Sequence, residues 1–154
     1  MISRALPLAR VVVLALAMVA CGPKTVTVLI PIPSVGQAAV TVVDQSGWLR
    51  GATVPVSVPL VDSPTSTFVM NPGGNLHVLR LEWAARRCLS RATIEIRAGS
   101  PLAIDVTSFE LAIGRQGCNE DVARRYAVDL EFDRAVLAAQ VEVRDITTRP
   151  TPGD

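Results

Sequence analysis

The segment Tyr126-Ala127-Val128-Asp129-Leu130-Glu131-Phe132-Asp133 places a large apolar residue at every second position and a small or acidic one between. Successive side chains of a strand point to opposite faces, so this period of two predicts a strand with one face in a core and the other in water. The same alternation recurs along the chain. Val26, Val28 and Ile30 alternate with Thr25, Thr27 and Leu29, and Ile94 and Ile96 with Thr93, Glu95 and Arg97. Ala52, Val54, Val56, Val58 and Leu60 alternate with Thr53, Pro55, Ser57 and Pro59. Both prolines fall on one phase, which predicts an edge strand, because proline cannot donate to a neighbour.

Further strands are predicted at 38–44, 76–84, 102–113 and 140–147. Within 102–113 the apolar phase slips from Leu102, Ile104 and Val106 to Phe109, Leu111 and Ile113, which predicts a bulge or bend near Thr107-Ser108. Turn residues separate the segments at Gln45-Ser46-Gly47, Asp62-Ser63-Pro64, Asn71-Pro72-Gly73-Gly74-Asn75 and Gly99-Ser100-Pro101. Seven or eight strands at this spacing predict an all-β, antiparallel sandwich. Only 121–126 and 134–140 are expected to hold short helical turns, and 148–154 to be an unstructured tail. With 154 residues, 49% of them apolar and 19% charged, the chain suits one packed domain and not a disordered one.

The first twenty residues differ in kind. Arg4 and Arg10 precede an unbroken apolar run from Val11 to Ala20, and no acidic residue occurs before Asp44. A bilayer-spanning helix needs about 20 apolar residues, and Pro7 and Arg10 interrupt any upstream extension, so an export signal is expected rather than a transmembrane anchor. The run closes on Met18-Val19-Ala20-Cys21-Gly22. These residues resemble the lipobox of bacterial lipoproteins, with Met18 where that pattern prefers leucine. The resemblance implies that a diacylglycerol is joined to the Cys21 thiol, that the chain is cut before it, and that lipid holds the mature protein to a membrane. Gly22 stands where inner-membrane retention signals have aspartate, which implies the outer membrane of a two-membrane bacterium, facing the periplasm or the surface. Ordinary cleavage after Ala15-Leu16-Ala17 is the alternative, since small residues stand there too. The expected division is a signal peptide at 1–20, a lipidated tether at 21–24, the sandwich at 25–147 and the tail at 148–154.

Three cysteines are present: Cys21, Cys88 and Cys118. Acylation of Cys21 leaves Cys88 and Cys118 as a pair, expected as a disulfide in an oxidising compartment, with two buried thiols as the alternative. Gly99-Ser100 can turn the strand around Ile94 and Ile96 back against 102–113, and a Cys88–Cys118 bridge would clamp the open end of that hairpin.

Residues 40–56 read VTVVDQSGWLRGATVPV. The run Asp44, Gly47, Gly51, Ala52, Val54, Val56 resembles the opening hairpin of transthyretin-like, carboxypeptidase-regulatory-type and bacterial immunoglobulin-like modules. The spacing from Gly47 to Gly51 is one residue shorter than in those modules, and the proline common in their turn is absent. The resemblance implies a sandwich with a binding or spacer role.

Chemistry-bearing motifs are sparse. His77 is the one histidine; it shares strand phase with Leu79, Leu81 and Trp83 and is expected at the rim of the core face. No triad motif accompanies it, so no catalytic residue is assigned. The number and spacing of His and Cys do not suit zinc, and no metal or cofactor is expected. Asn71–Asn75 is glycine-rich but lacks the Gly-Lys-Ser/Thr ending of a phosphate loop and reads as a hairpin turn. Asp129, Glu131 and Asp133 read as the solvated face of a strand. Arg86, Arg87 and Arg91 flank Cys88, while Arg115, Arg124 and Arg125 lie near Cys118. A bridge would gather these arginines at one end of the sandwich, partly offset by Glu120 and Asp121, into an anion site for lipid phosphate or acidic glycans, with Arg86, Arg87, Arg124 and Arg125 as the contacts to test; the alternative is scattered loop arginines. Trp48, in a tight turn, either contacts a partner or covers the open end of the core.

The expected function is a lipid-anchored, non-enzymatic envelope module with an interaction or structural role, meeting the membrane through Cys21 and a protein partner through its surface. The alternatives are an envelope lipoprotein that binds a small molecule, glycan or anionic lipid, and a hydrolase whose site carries no motif. A formal net charge of +1 gives no pull toward nucleic acid.

Overall fold

A computed structural model describes residues 22–32, 36–56, 67–86, 88–110 and 123–147. The signal at 1–20, Cys21, Arg87, Arg115, Cys118, Glu120, Asp121 and the tail at 148–154 lie outside the described residues. Nine strands form among those described: β1 (Lys24–Ile32), β2 (Gly36–Asp44), β3 (Leu49–Thr53), β4 (Phe68–Met70), β5 (Val78–Arg86), β6 (Leu89–Arg97), β7 (Leu102–Glu110), β8 (Ala123–Phe132) and β9 (Val141–Asp145). They make two sheets, a larger one ordered β1-β2-β6-β7-β9 and a smaller one ordered β3-β8-β5-β4. The all-β sandwich expected from the alternation is the fold found.

The pairing is not antiparallel throughout. Hairpins β1–β2, β4–β5 and β6–β7 are antiparallel, as are β3–β8 and β5–β8, but β2 pairs β6 and β7 pairs β9 in parallel. The cause is the route of the chain. After β2 it leaves the larger sheet, passes through β3, β4 and β5, and returns as β6 beside β2. In the same way β8 separates β7 from β9.

The period-two segments supply the core. Tyr126, Val128, Leu130 and Phe132 of β8 are buried with Leu79, Leu81 and Trp83 of β5. Val40, Val42, Ile94, Ile96, Ile104 and Val106 meet them from the larger sheet. Full burial of each such side chain contributes about 1.5–3 kcal/mol, which is why one phase of every central strand is apolar.

Four further expectations need correction, and one strand, β4, was not anticipated. The strand predicted over 52–60 begins earlier: β3 covers Leu49–Thr53 and ends before Pro55, which has no N–H for a ladder, while 57–60 lie outside the described residues. The predicted slip at Thr107-Ser108 does not occur in β7, where Leu102, Ile104, Val106 and Ser108 stay buried and Phe109 is exposed. The irregularity belongs to the partner strand, whose register skips Ser90 between Leu89 and Arg91. The Ser90 hydroxyl donates to the Phe109 carbonyl at 2.7 Å, and the Arg91 guanidinium covers the Phe109 ring at 4.4 Å. Residues 123–126 are strand rather than helical turn, with 121–122 outside the described residues, whereas the short turn expected within 134–140 is present as a 3-10 turn at Ala138–Gln140. Strand β4 has only three residues, too few to show an alternation. Finally, residues 40–56 are not a hairpin: β2 and β3 lie in different sheets, so the turn between them is an arch across the sandwich.

Candidate functional site

The arch is built around a buried acid. Asp44, 1% exposed, ends β2 on the same phase as Val40 and Val42. Its Oδ1 accepts the Ser46 N–H at 2.9 Å and the Ser46 hydroxyl, and its Oδ2 accepts the Leu49 N–H at 2.8 Å. Gly47 follows with φ of 74°, a left-handed conformation that favours glycine. The Asp-x-x-Gly run thereby turns the chain and sets Trp48 at the margin of the core. The Trp48 carbonyl accepts the Asp133 N–H at 2.9 Å, and the Arg134 guanidinium lies 4.5 Å from the ring centroid. Trp48 is half-buried, so it both closes the core and presents part of its ring.

Other loops join this end of the sandwich. Lys24, which starts β1 opposite Asp44, donates from Nζ to the Leu49 carbonyl at 3.1 Å. Asn71 ties the β4–β5 turn to the β8–β9 connection: its Nδ2 meets the carbonyls of Val78 at 3.0 Å and Val136 at 3.1 Å, and its Oδ1 accepts the Ala138 N–H at 2.9 Å. The Val136 N–H donates to the Leu76 carbonyl, and the Phe132 N–H to that of His77, both at 2.8 Å. Leu76 and Leu137 remain exposed here, at 41% and 44%. His77 immediately precedes β5, in line with the buried Phe132 of β8, and is exposed, with Nδ1 3.3 Å from the Phe132 carbonyl.

The arginine-rich end is the opposite one. Register places Arg86 opposite Ala123, Ala85 opposite Arg124 and Ala84 opposite Arg125, so the structure puts all three arginines at this end but on two faces: Arg86 and Arg125 share the outer phase of the smaller sheet, and Arg124 takes the core phase with Ala85. It also partners them. Arg86 pairs with Glu110 at 3.3 Å, and Arg125 with the buried Glu82 at 3.3 Å while covering the Phe68 ring at 5.4 Å. Arg124 too has an interaction partner. Cys88 is buried between β5 and β6.

In the acidic row Glu131 and Asp133, which follows β8, are solvent-exposed as expected, while Asp129 is half-buried in a cross-strand pair. Arg80 grips Asp129 through two hydrogen bonds of 2.8 and 2.9 Å, which raises the guanidinium pKa further. Arg50 meets Glu131 at 3.2 Å, and Arg134 meets Asp133 at 2.9 Å. On the larger sheet Asp105 is buried beneath Arg97 and Arg144, with the Arg144 bonds at 2.8 and 3.2 Å. Burial pushes the Asp105 carboxyl up, but the hydrogen bonds from Arg144 and Arg97 outweigh it and hold the pKa below the ordinary value.

Among the described residues no group of three or more His, Cys, Asp or Glu is placed to hold a metal, and no helix is long and apolar enough to cross a membrane. No protein-family model, curated protein or solved structure matches this chain. Sequence reasoning missed Asn71 as a clamp, because an asparagine beside Pro-Gly-Gly reads only as turn chemistry. Asp44 was legible in principle: it is the one charged residue on the apolar phase of its strand.

Proposed function

We propose that this chain is a lipid-anchored cell-envelope protein whose β-sandwich is a non-enzymatic interaction or structural module, held through acylated Cys21 to the outer membrane where the bacterium has two. The observation that carries the reading is the junction at the N-terminus. The lipobox-like Met18-Val19-Ala20-Cys21 stands three residues before β1 begins at Lys24, so a short tether leads straight into an edge strand of the larger sheet. A module role, rather than hydrolysis, is supported by the carboxylates of the sheet faces, which are engaged with arginines: Asp129 with Arg80, Glu131 with Arg50, and Asp105 with Arg97 and Arg144.

The reading includes a Cys88–Cys118 disulfide. Leu89 is opposite Glu110 and Arg86 opposite Ala123, so both ends of the 111–122 connection start beside Cys88. Intact-mass measurement of protein extracted from the native envelope tests both parts. Acyl mass on Cys21 and two hydrogens missing from the other two cysteines are expected, and Cys21→Ser should move the protein from the detergent phase to the aqueous phase. A mature chain that begins at Met18 without acyl mass would end the reading.

A further inference from the structure

We propose that the sandwich end bearing Trp48, Leu76 and Leu137 seats on the headgroup surface of the lipid bilayer, with the Cys88 end pointing away from it. The inference rests on acylation of Cys21, and it assigns an interaction surface that acylation alone does not.

A fully extended chain spans at most about 3.3–3.6 Å per residue, so the three steps from Cys21 to Lys24 cover about 10 Å. Lys24 is in register with Asp44, whose carboxylate holds the Trp48 arch, and its amino group touches the Leu49 carbonyl. Asp133 and Arg134 join the arch to the β8–β9 connection, which in turn carries Val136 against Leu76 and leads into Leu137. The acyl chains therefore enter the bilayer within about 10 Å of the start of this platform. The far end is a strand length away: the eight steps along the nine residues of β1, at about 3.3 Å each, span about 26 Å. Cys88 belongs to that far end, because β2 and β6 run parallel with Ala39 opposite Arg91, three residues after Gly36 and Cys88 respectively. Arg86, Arg124 and Arg125 lie there too, and so face away from the membrane that holds the tether.

Chemistry agrees with distance. An interfacial surface carries an aromatic ring and aliphatic side chains with polar groups at their edge. Here Trp48 is partly exposed at the margin of the core, Leu76 and Leu137 are exposed, and Arg134 stacks on the indole. Two ion pairs lie at this end, Arg134 with Asp133 and Arg50 with Glu131, and the Lys24 amino group is bonded to the Leu49 and Arg50 carbonyls. With most of its charge paired, this end meets lipid through apolar and interfacial contact rather than through attraction to anionic lipid.

The test uses the acylated full chain reconstituted into vesicles of zwitterionic phosphatidylcholine, with lipids brominated high on the acyl chain as quenchers. Trp83, buried in the core, serves as the internal reference. Brominated lipid should quench the Trp48 component, which Trp48→Phe removes. The doubly substituted Leu76→Asp/Leu137→Asp protein, with its melting temperature and acyl mass unchanged, should lose more than half of that quenching. Adding anionic phosphatidylglycerol or salt should change it little. Acylated protein whose Trp48 is reached by aqueous acrylamide but not by brominated lipid overturns the seating while leaving the anchor intact. Quenching unaffected by the two aspartates does the same, and points to a protein partner for this end. Absence of acyl mass on Cys21 overturns the anchor and the seating together.

Discussion

Replacement of Asp44 by alanine removes the acceptor that holds the arch between the two sheets. The Leu49 N–H loses its partner at 2.8 Å; with Leu49 4% exposed, that donor has no route to water. An unsatisfied buried donor that had bonded a charged group costs about 2 kcal/mol. The Ser46 N–H and hydroxyl lose theirs too, but Ser46 is half-buried and regains water, so its share is about 1 kcal/mol. Removing a buried carboxylate gives some desolvation free energy back, which leaves a net loss of about 2–3 kcal/mol. Asp44→Asn keeps one acceptor oxygen and turns an NH2 group toward an N–H that needs an acceptor, so it should lose about 1–2 kcal/mol. Urea unfolding of the Cys21→Ser chain, followed by circular dichroism, measures both. Trp48 emission should shift to the red in Asp44→Ala while Trp83 reports an unchanged core. A loss below about 1 kcal/mol for alanine, or equal losses for alanine and asparagine, would refute the hydrogen-bond account of the arch.

Three further outcomes are expected. The Asp105 pKa is lowered in the fold, so its contribution is complete above the unfolded value of about 3.9 and is lost as pH falls through the lower folded value. Urea stability measured on acidification below about pH 4 should therefore fall less steeply in Asp105→Asn than in the parent. Phe132, 1% exposed at the end of β8, should cost about 3–5 kcal/mol on truncation to alanine, read from the same urea curves. Gly47→Ala meets no atom within 4 Å but forces a side chain onto φ of 74°, so it should cost about 1 kcal/mol, read as a lower melting temperature with unchanged Trp83 emission.

The sandwich was legible because its central strands are half-buried, and a half-buried strand writes its burial into every second residue. The segments around Tyr126–Phe132, Ile94–Ile96 and Val26–Ile30 all became strands on the expected phase. Partnership was less legible. Nothing local in 40–56 distinguishes a hairpin from an arch, since both need Asp and Gly at the turn; the difference is which sheet receives β3, decided by Leu49 and Ala52 packing beside β8. The apparent slip at Phe109 misled because its ring is covered by Arg91 rather than by the core, and apolarity alone does not say which. Of the candidate site residues, Trp48 and the arginines were named from the sequence, but Asn71 and the paired state of Arg86 and Arg125 depend on contacts far along the chain.

The strand that leaves the tether also determines how the domain responds to force. β1 pairs with β2 over nine residues, from Lys24 opposite Asp44 to Ile32 opposite Gly36. A pull on its N-terminus along the strand axis loads the whole ladder in shear, because the bonds of an antiparallel pair run perpendicular to the strands. Slippage by one residue would also turn Val26, Val28, Ile30 and Ile32 outward, so the apolar phase resists the same motion. A pull across the sheet opens the pairs one at a time from Lys24 onward. The domain is thus mechanically anisotropic, firm against drag along β1 and weak against peeling from its edge.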